Sequence, residues 1–206
     1  MFGCSLYPII DIDLCGMRGI DPRTLALAFF DGGARTVQVR QKSAASGALV
    51  QLTREIVATA STRAARVILN DRADLARMAG AAGVHVGQND LSPAEVKAIA
   101  GQHAIVGLST HTRAQVDAAV DQPVEYIAVG PVFQTRTKDT GYEPRGLELV
   151  RYAATRGRPV VAIGGIRLDN VAEVLAAGAS AVAVISDLLA SADAEARVRE
   201  YLRVCA

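Results

Sequence analysis

Short runs rich in β-branched residues alternate with Ala-rich amphipathic segments along the whole chain. The apolar runs at 6–10, 36–40, 67–70, 83–86, 104–109, 126–130, 159–163 and 181–185 predict eight strands. Most of these runs are apolar throughout, as in strands buried on both faces, while Gln38 and Arg40 interrupt the run at 36–40 and His85 that at 83–86. The segments between and after them, 22–30, 48–60, 72–79, 93–100, 113–120, 147–155, 168–176 and 192–202, repeat apolar residues at helical spacing and predict eight helices. Asp21-Pro22 and Ser92-Pro93 each set a capping residue before a proline at the first helical position. Ser92 and Glu95 have the spacing of a capping box. Gly80, Gly101 and Gly178 stand where helices should stop.

Eight strand–helix alternations, with no low-complexity stretch or linker between them, predict an α/β fold with an all-parallel sheet. The count favours a closed (β/α)8 (TIM) barrel over an open doubly wound sheet, as a single catalytic domain over residues 1–206. Half of the residues are hydrophobic, which suits such a core. The 22 basic and 21 acidic residues nearly cancel, so no charge excess points to nucleic acid or an anionic membrane. Any basic patch is then local and serves a small anion. Cys4, Cys15 and Cys205 are too few and too scattered for a disulfide framework or a zinc site, and a reducing cytoplasm is the simple reading. No basic region precedes the first apolar run, so no signal peptide is expected. The apolar stretch between Glu173 and Asp187 is too short to span a bilayer. A homo-oligomer is compatible with all of this.

In such barrels chemistry gathers at the C-terminal ends of the strands. Here those ends are polar. Gln38, Arg40 and Lys42 alternate at the end of strand 2, on one side if the extended conformation persists. Strand 3 ends in Asn70-Asp71, strand 4 runs into Gln88, Asn89 and Asp90, and strand 5 ends in Ser109, Thr110, His111 and Thr112. Strand 6 breaks at Gly130-Pro131 and then delivers Thr135, Arg136, Thr137 and Lys138, a density of donors that suggests phosphate groups. Strand 7 gives Gly164-Gly165 and strand 8 gives Ile185-Ser186.

Each group also has a plainer reading. Asp71 can cap the helix beginning at Arg72, Asp90 can stabilise a turn, and Ser186 can cap the last helical region. The strand 2 triplet can be an internal ion pair or a solvated strand end. Gly164-Gly165 can be a simple turn. His85 suits a hydrogen-bonded interior position, His103 a loop, and His111 is ambiguous. The shared location at strand ends favours a site. Asp71 and Asp90 follow successive strands, ~4.8 Å apart where adjacent, and two carboxylates so placed suit Mg²⁺ completed by a diphosphate. Arg40, Lys42 and Lys138 would neutralise the remaining charge. A second, metal-free anion site is expected near strands 6–8, with backbone N–H groups at the glycine pair and at Ile185-Ser186, and with the hydroxyls of Thr135 and Thr137.

With these residues laid out, the chain resembles the thiamine-phosphate synthase family over roughly residues 6–189, through VQVRQK, LNDRADLA, GVHVGQNDL, GLSTHT, VGPVFQTRTKDTGYEPRGLE, AIGGI and AVAVIS. The resemblance implies a transferase that joins 4-amino-2-methyl-5-(diphosphooxymethyl)pyrimidine to a thiazole phosphate. It implies Gln38, Arg40, Lys42, Asn70, Ser109 and Lys138 on the pyrimidine diphosphate, with Arg40, Lys42, Ser109 and Lys138 catalytic. It implies Asp71 and Asp90 on Mg²⁺, and Thr135, Thr137, Gly165, Ile185 and Ser186 on the thiazole phosphate. LYPIIDIDLC departs from the family's usual start, lacking its Thr-Asp pair after strand 1. Gln134 and Arg136 receive no role.

The implied reaction is dissociative, which agrees with the lack of a nucleophile–base constellation among these residues. The segment 139–146, with Gly141, Tyr142 and Pro144, has the turn-rich composition of a lid over the site. A thiazole tautomerase using His111 is the nearest rival, and Asp90 and Lys138 argue against it. A catalytically silent phosphate-binding barrel would not need the full set of metal and cation positions. A sugar-phosphate isomerase or epimerase would need a paired acid and base, which Asp71 alone serves poorly.

Overall fold

The structure, a computed structural model, describes residues 5–42, 45–135 and 141–205. Eight parallel strands close into one barrel in chain order: β1 (Ser5–Asp11), β2 (Thr36–Arg40), β3 (Arg66–Asn70), β4 (Gly83–Val86), β5 (Ile105–Thr110), β6 (Tyr126–Val129), β7 (Val160–Ile163) and β8 (Ala181–Val184). Closure comes from β1 on β8, with Leu6 opposite Val182 and Pro8 opposite Val184. Each strand lies within a residue of the run that the hydrophobic pattern predicts. β6 stops at Val129 because Pro131 has no N–H with which to continue the ladder.

The helices are α1 (Ile12–Met17), α2 (Pro22–Asp31), α3 (Ser46–Ser61), α4 (Ala73–Ala79), α5 (Pro93–Ala100), α6 (Arg113–Val120), α7 (Gly146–Ala154), α8 (Val171–Ala176), α9 (Ser186–Leu189) and α10 (Ala194–Cys205). The expected caps are present. The Asp21 carboxylate accepts from the Thr24 N–H, Ser92 and Glu95 form a reciprocal capping box, and α4 ends on left-handed Gly80. α8 starts later than its apolar spacing suggests. Residues 167–170 instead close a turn, in which Asn170 Oδ1 accepts from the Arg167 N–H at 2.8 Å. Helices α1 and α9 are additional to the eight expected. At six and four residues they are too short for a helical period to register in the sequence.

Alternation along each strand sorts the core into two shells. Leu6, Ile10, Val37, Val39, Leu69 and Val84 join the large cluster between barrel and helices. Tyr7, Ile9, Ile68, Tyr126, Val161 and Ala183 form a smaller cluster inside the barrel. Inside the barrel the large Tyr7 on β1 is in register with the small Ala183 on β8, a pairing that helps an interior fill. Cys15 and Cys205 are both buried. No described helix is long and apolar enough to cross a membrane.

Candidate active site

The C-terminal ends of the strands surround a cleft with about 850 Å³ of empty space, part of it open to solvent. Gln38, Arg40, Asn70, Ser109, Thr135, Gly165, Ile185 and Ser186 meet around it. Residues drawn from six strand ends of the sequence thus share one concavity. Lys42, Asp71 and Asp90 lie beside the cleft without lining it. Thr137 and Lys138 fall outside the described residues, as do Cys4, Arg136, and Asp139 of the expected lid.

Arg40 is held by a residue that the sequence reading passes over. Asp11 ends β1 in register with Arg40 at the end of β2. The Arg40 guanidinium donates to Asp11 Oδ2, and Asp11 is almost wholly buried. The other carboxylate oxygen caps α1 through the Leu14 N–H at 3.1 Å. The internal-ion-pair reading of strand 2 therefore applies to Arg40, which lines the cleft while Asp11 is buried behind it. Pairing leaves Arg40 fixed in direction and still at the cleft wall. Lys42 Nζ stands 3.7 Å from Asp71 Oδ2, with the lysine more than half exposed, a contact of little energy on its own.

Asp71 has a left-handed backbone (φ 62°), unusual for a residue other than glycine. Its N–H donates to the His85 carbonyl at 2.8 Å, tying the end of β3 to β4. The N-cap of α4 is Arg72, so Asp71 does not cap that helix. Asp90 does stabilise a turn, since its Oδ2 accepts from the Gly87 N–H at 2.8 Å. Among the described residues no group of three or more His, Cys, Asp or Glu side chains is placed to hold a metal. Two hard carboxylates after successive strands suit a cation that keeps waters and takes substrate oxygens. Magnesium is of that kind.

The opposite side of the cleft is made of backbone. Gly164 and Gly165 both have positive φ. A Cβ on Gly164 would come within 2.6 Å of Pro131 Cα, and one on Gly165 within 2.6 Å of the Gln134 carbonyl. The loops after β6 and β7 are joined there: the Val132 N–H donates to the Ile163 carbonyl at 2.9 Å and the Phe133 N–H to the Gly164 carbonyl at 3.0 Å. Asn170 Nδ2 donates to the Gly165 carbonyl at 3.1 Å. Ser186 opens α9, whose first-turn N–H groups have no partner within the helix. Asp187 beside it accepts from the Tyr201 hydroxyl at 2.8 Å.

His85 is the interior, hydrogen-bonded residue that its position in the strand predicts. Its Nδ1 lies 3.0 Å from Tyr126 Oη and its Nε2 2.9 Å from Ser109 Oγ. Tyr126 Oη lies 3.0 Å from Tyr7 Oη, and Gln38 Nε2 donates to Tyr7 Oη at 3.2 Å. Burial pushes both phenols well above the usual tyrosine range. His111 resolves as a cleft residue: Nδ1 lies 2.5 Å from the Gly130 carbonyl, which only accepts, so Nδ1 carries the proton. Its ring stacks on Tyr142 with centroids 4.3 Å apart. The described part of the proposed lid is anchored at its far end by the Arg145 and Gly146 N–H groups on the Pro131 and Val132 carbonyls.

A family model described as thiamine monophosphate synthase matches residues 6–188. A thiamine-phosphate synthase of Anaeromyxobacter dehalogenans (strain 2CP-C) is 46% identical over 86% of this chain and 80% of its own. One from Caldicellulosiruptor saccharolyticus is 40% identical over 84% and 79%. A solved thiamine phosphate pyrophosphorylase from Pyrococcus furiosus superposes with a TM-score of 0.88 at 27% identity, covering 98% of this chain and 96% of that one.

Proposed function

From the premise that the chain belongs to the thiamine monophosphate synthase family, we propose that it joins 4-amino-2-methyl-5-(diphosphooxymethyl)pyrimidine to a thiazole phosphate, yielding thiamine phosphate and diphosphate. One observation carries the reading: a single cleft has a fixed cation on one side and a glycine-backed turn beside a helix start on the other. Those are two different ways to hold an anion, in one space sized for two small molecules.

Arg40, oriented by Asp11, meets the diphosphate of the pyrimidine, with Lys42 and Lys138 adding charge. Gln38, Asn70 and Ser109 hold the ring side of the same substrate. Thr135, Thr137, Gly165, Ile185 and Ser186 hold the thiazole phosphate. Asp71 and Asp90 would hold Mg²⁺, which when bound supplies positive charge to the diphosphate oxygens.

The methylene C–O bond breaks and its electron pair leaves with the diphosphate. The methylene carbon becomes a cation delocalised into the aminopyrimidine. The lone pair of the thiazole nitrogen then forms the C–N bond and gives the thiazolium product. No proton has to move at the reacting carbon, so no general base is required there. The residues contribute by stabilising departing charge and by aligning the two rings.

The test is diphosphate release. Release should need both substrates and Mg²⁺ and should stop with chelator. Turnover of a thiazole tautomer alone, without pyrimidine or metal, would replace this reading with the tautomerase.

A further inference from the structure

Tyr7, His85 and Tyr126 are buried titratable residues that the reaction above does not employ. They form part of one unbroken chain across the barrel interior: Gln38 on β2, Tyr7 on β1, Tyr126 on β6, His85 on β4 and Ser109 on β5. The four successive contacts are 3.2, 3.0, 3.0 and 2.9 Å. Gln38, Tyr7, His85 and Ser109 all line the cleft. Tyr126 does not: it is fully buried and absent from the cleft wall.

The sequence makes room for this link. Gly107 on β5 is in register with Tyr126 on one side and with His85 on the other. A Cβ on Gly107 would fall 2.0 Å from Tyr126 Cζ and 2.3 Å from its hydroxyl. The glycine therefore lets the Tyr126 ring pass over β5, stack on His85 with centroids 5.6 Å apart, and place its hydroxyl on Nδ1.

We propose that Tyr126 is a positioning residue, holding His85 in one neutral tautomer and so setting the direction of the Ser109 hydroxyl toward the pyrimidine substrate. A neutral imidazole has one donor and one acceptor nitrogen. With Tyr126 on one nitrogen and Ser109 on the other, the role taken at Nδ1 dictates the role left at Nε2. Ser109 has a single proton to place, so its orientation follows. In a buried chain of this kind one member cannot reverse its role unless its neighbours reverse theirs, since an unpaired buried polar group is costly. The proposal rests on the assignment of Ser109 to the pyrimidine substrate.

The test is a double-mutant cycle with Tyr126→Phe, which removes only the hydroxyl, and Ser109→Ala. Tyr126→Phe should raise KM for the pyrimidine diphosphate about tenfold, the scale of one lost buried hydrogen bond, and leave KM for the thiazole phosphate unchanged. Ser109→Ala should cost much less in the Tyr126→Phe background than in the wild type. Equal costs in the two backgrounds would overturn the proposal. The ¹⁵N shifts of the His85 ring in the wild type give a second check, independent of how the variant folds. One protonated and one bare nitrogen is expected, whereas a tautomer average or two protonated nitrogens would overturn it. A wild type that releases no diphosphate from the two substrates refutes the functional reading instead, and the ring shifts still decide the chain.

Discussion

Asp11 and Arg40 explain why a cation can stand at the wall of a largely apolar cleft without collapsing onto it. The carboxylate divides its oxygens between the guanidinium and the first turn of α1, so Arg40 has one direction to face. Arg40 is legible in the sequence because it alternates with apolar residues at a strand end. Asp11 is not, because its partner lies 29 residues away and only strand register joins them. Asp71 is the opposite case: prominent in the sequence, and held in the structure by a left-handed backbone next to β4. A backbone conformation that costs energy at a strand end is consistent with a placed ligand. Asp71→Asn keeps the shape and removes the charge. We expect diphosphate release to slow by roughly 10²-fold, the scale of a lost transition-state contact, with a weaker response to added Mg²⁺. Titrating rate against Mg²⁺ checks this. A variant that keeps wild-type rates in chelator would remove Asp71 from the metal site.

The strands and long helices were readable because burial imposes a period, and the caps marked their limits. What the period misses are the short elements that shape the cleft. Helix α9 has only four residues, yet it provides the backbone N–H groups beside Ser186. The glycine pair after β7 reads in sequence as an ordinary turn. The structure gives it a tighter requirement, since the loop after β6 lies against it with no room for a methyl group. The φ of 65° at Gly165 adds a backbone penalty for any other residue. Gly165→Ala should therefore push the two loops apart and raise KM for the thiazole phosphate at least about tenfold, the scale of a misplaced binding group. KM for the pyrimidine substrate should stay near wild type, because Arg40 and Ser109 lie on other strands. Steady-state kinetics with each substrate varied in turn separates the two. A loss confined to the pyrimidine side would invert the division of the cleft.

At the scale of the whole barrel, the fold class followed from the count of alternations, but the polar interior did not. Tyr7 and Tyr126 sit in apolar strand runs and read as core, and only closure of the sheet brings β1 and β6 face to face. That closure has a consequence for stability. Burial raises the pKa of both phenols, and also that of Tyr201, which donates to Asp187 from α10. Burial, then the nearby Asp11 charge, lifts the Cys15 thiol from its ordinary 9.0 to about 11. In every case the folded chain keeps a proton that the unfolded chain gives up sooner. Between the unfolded and folded pKa the native state binds more protons, so stability falls as pH rises. The stabilising contribution is whole below about pH 9, declines first through Cys15, and declines further as unfolded tyrosines ionise near pH 10. Each such group steepens the slope by at most about 1.4 kcal/mol per pH unit. Urea unfolding at intervals from pH 8 to the alkaline limit should show a midpoint that drops progressively above about pH 9. Cys15→Ala should remove the earliest part of the drop and Tyr126→Phe a later part. A midpoint that stays flat through this range would mean that the buried thiol and phenols ionise in the folded barrel as readily as in the open chain.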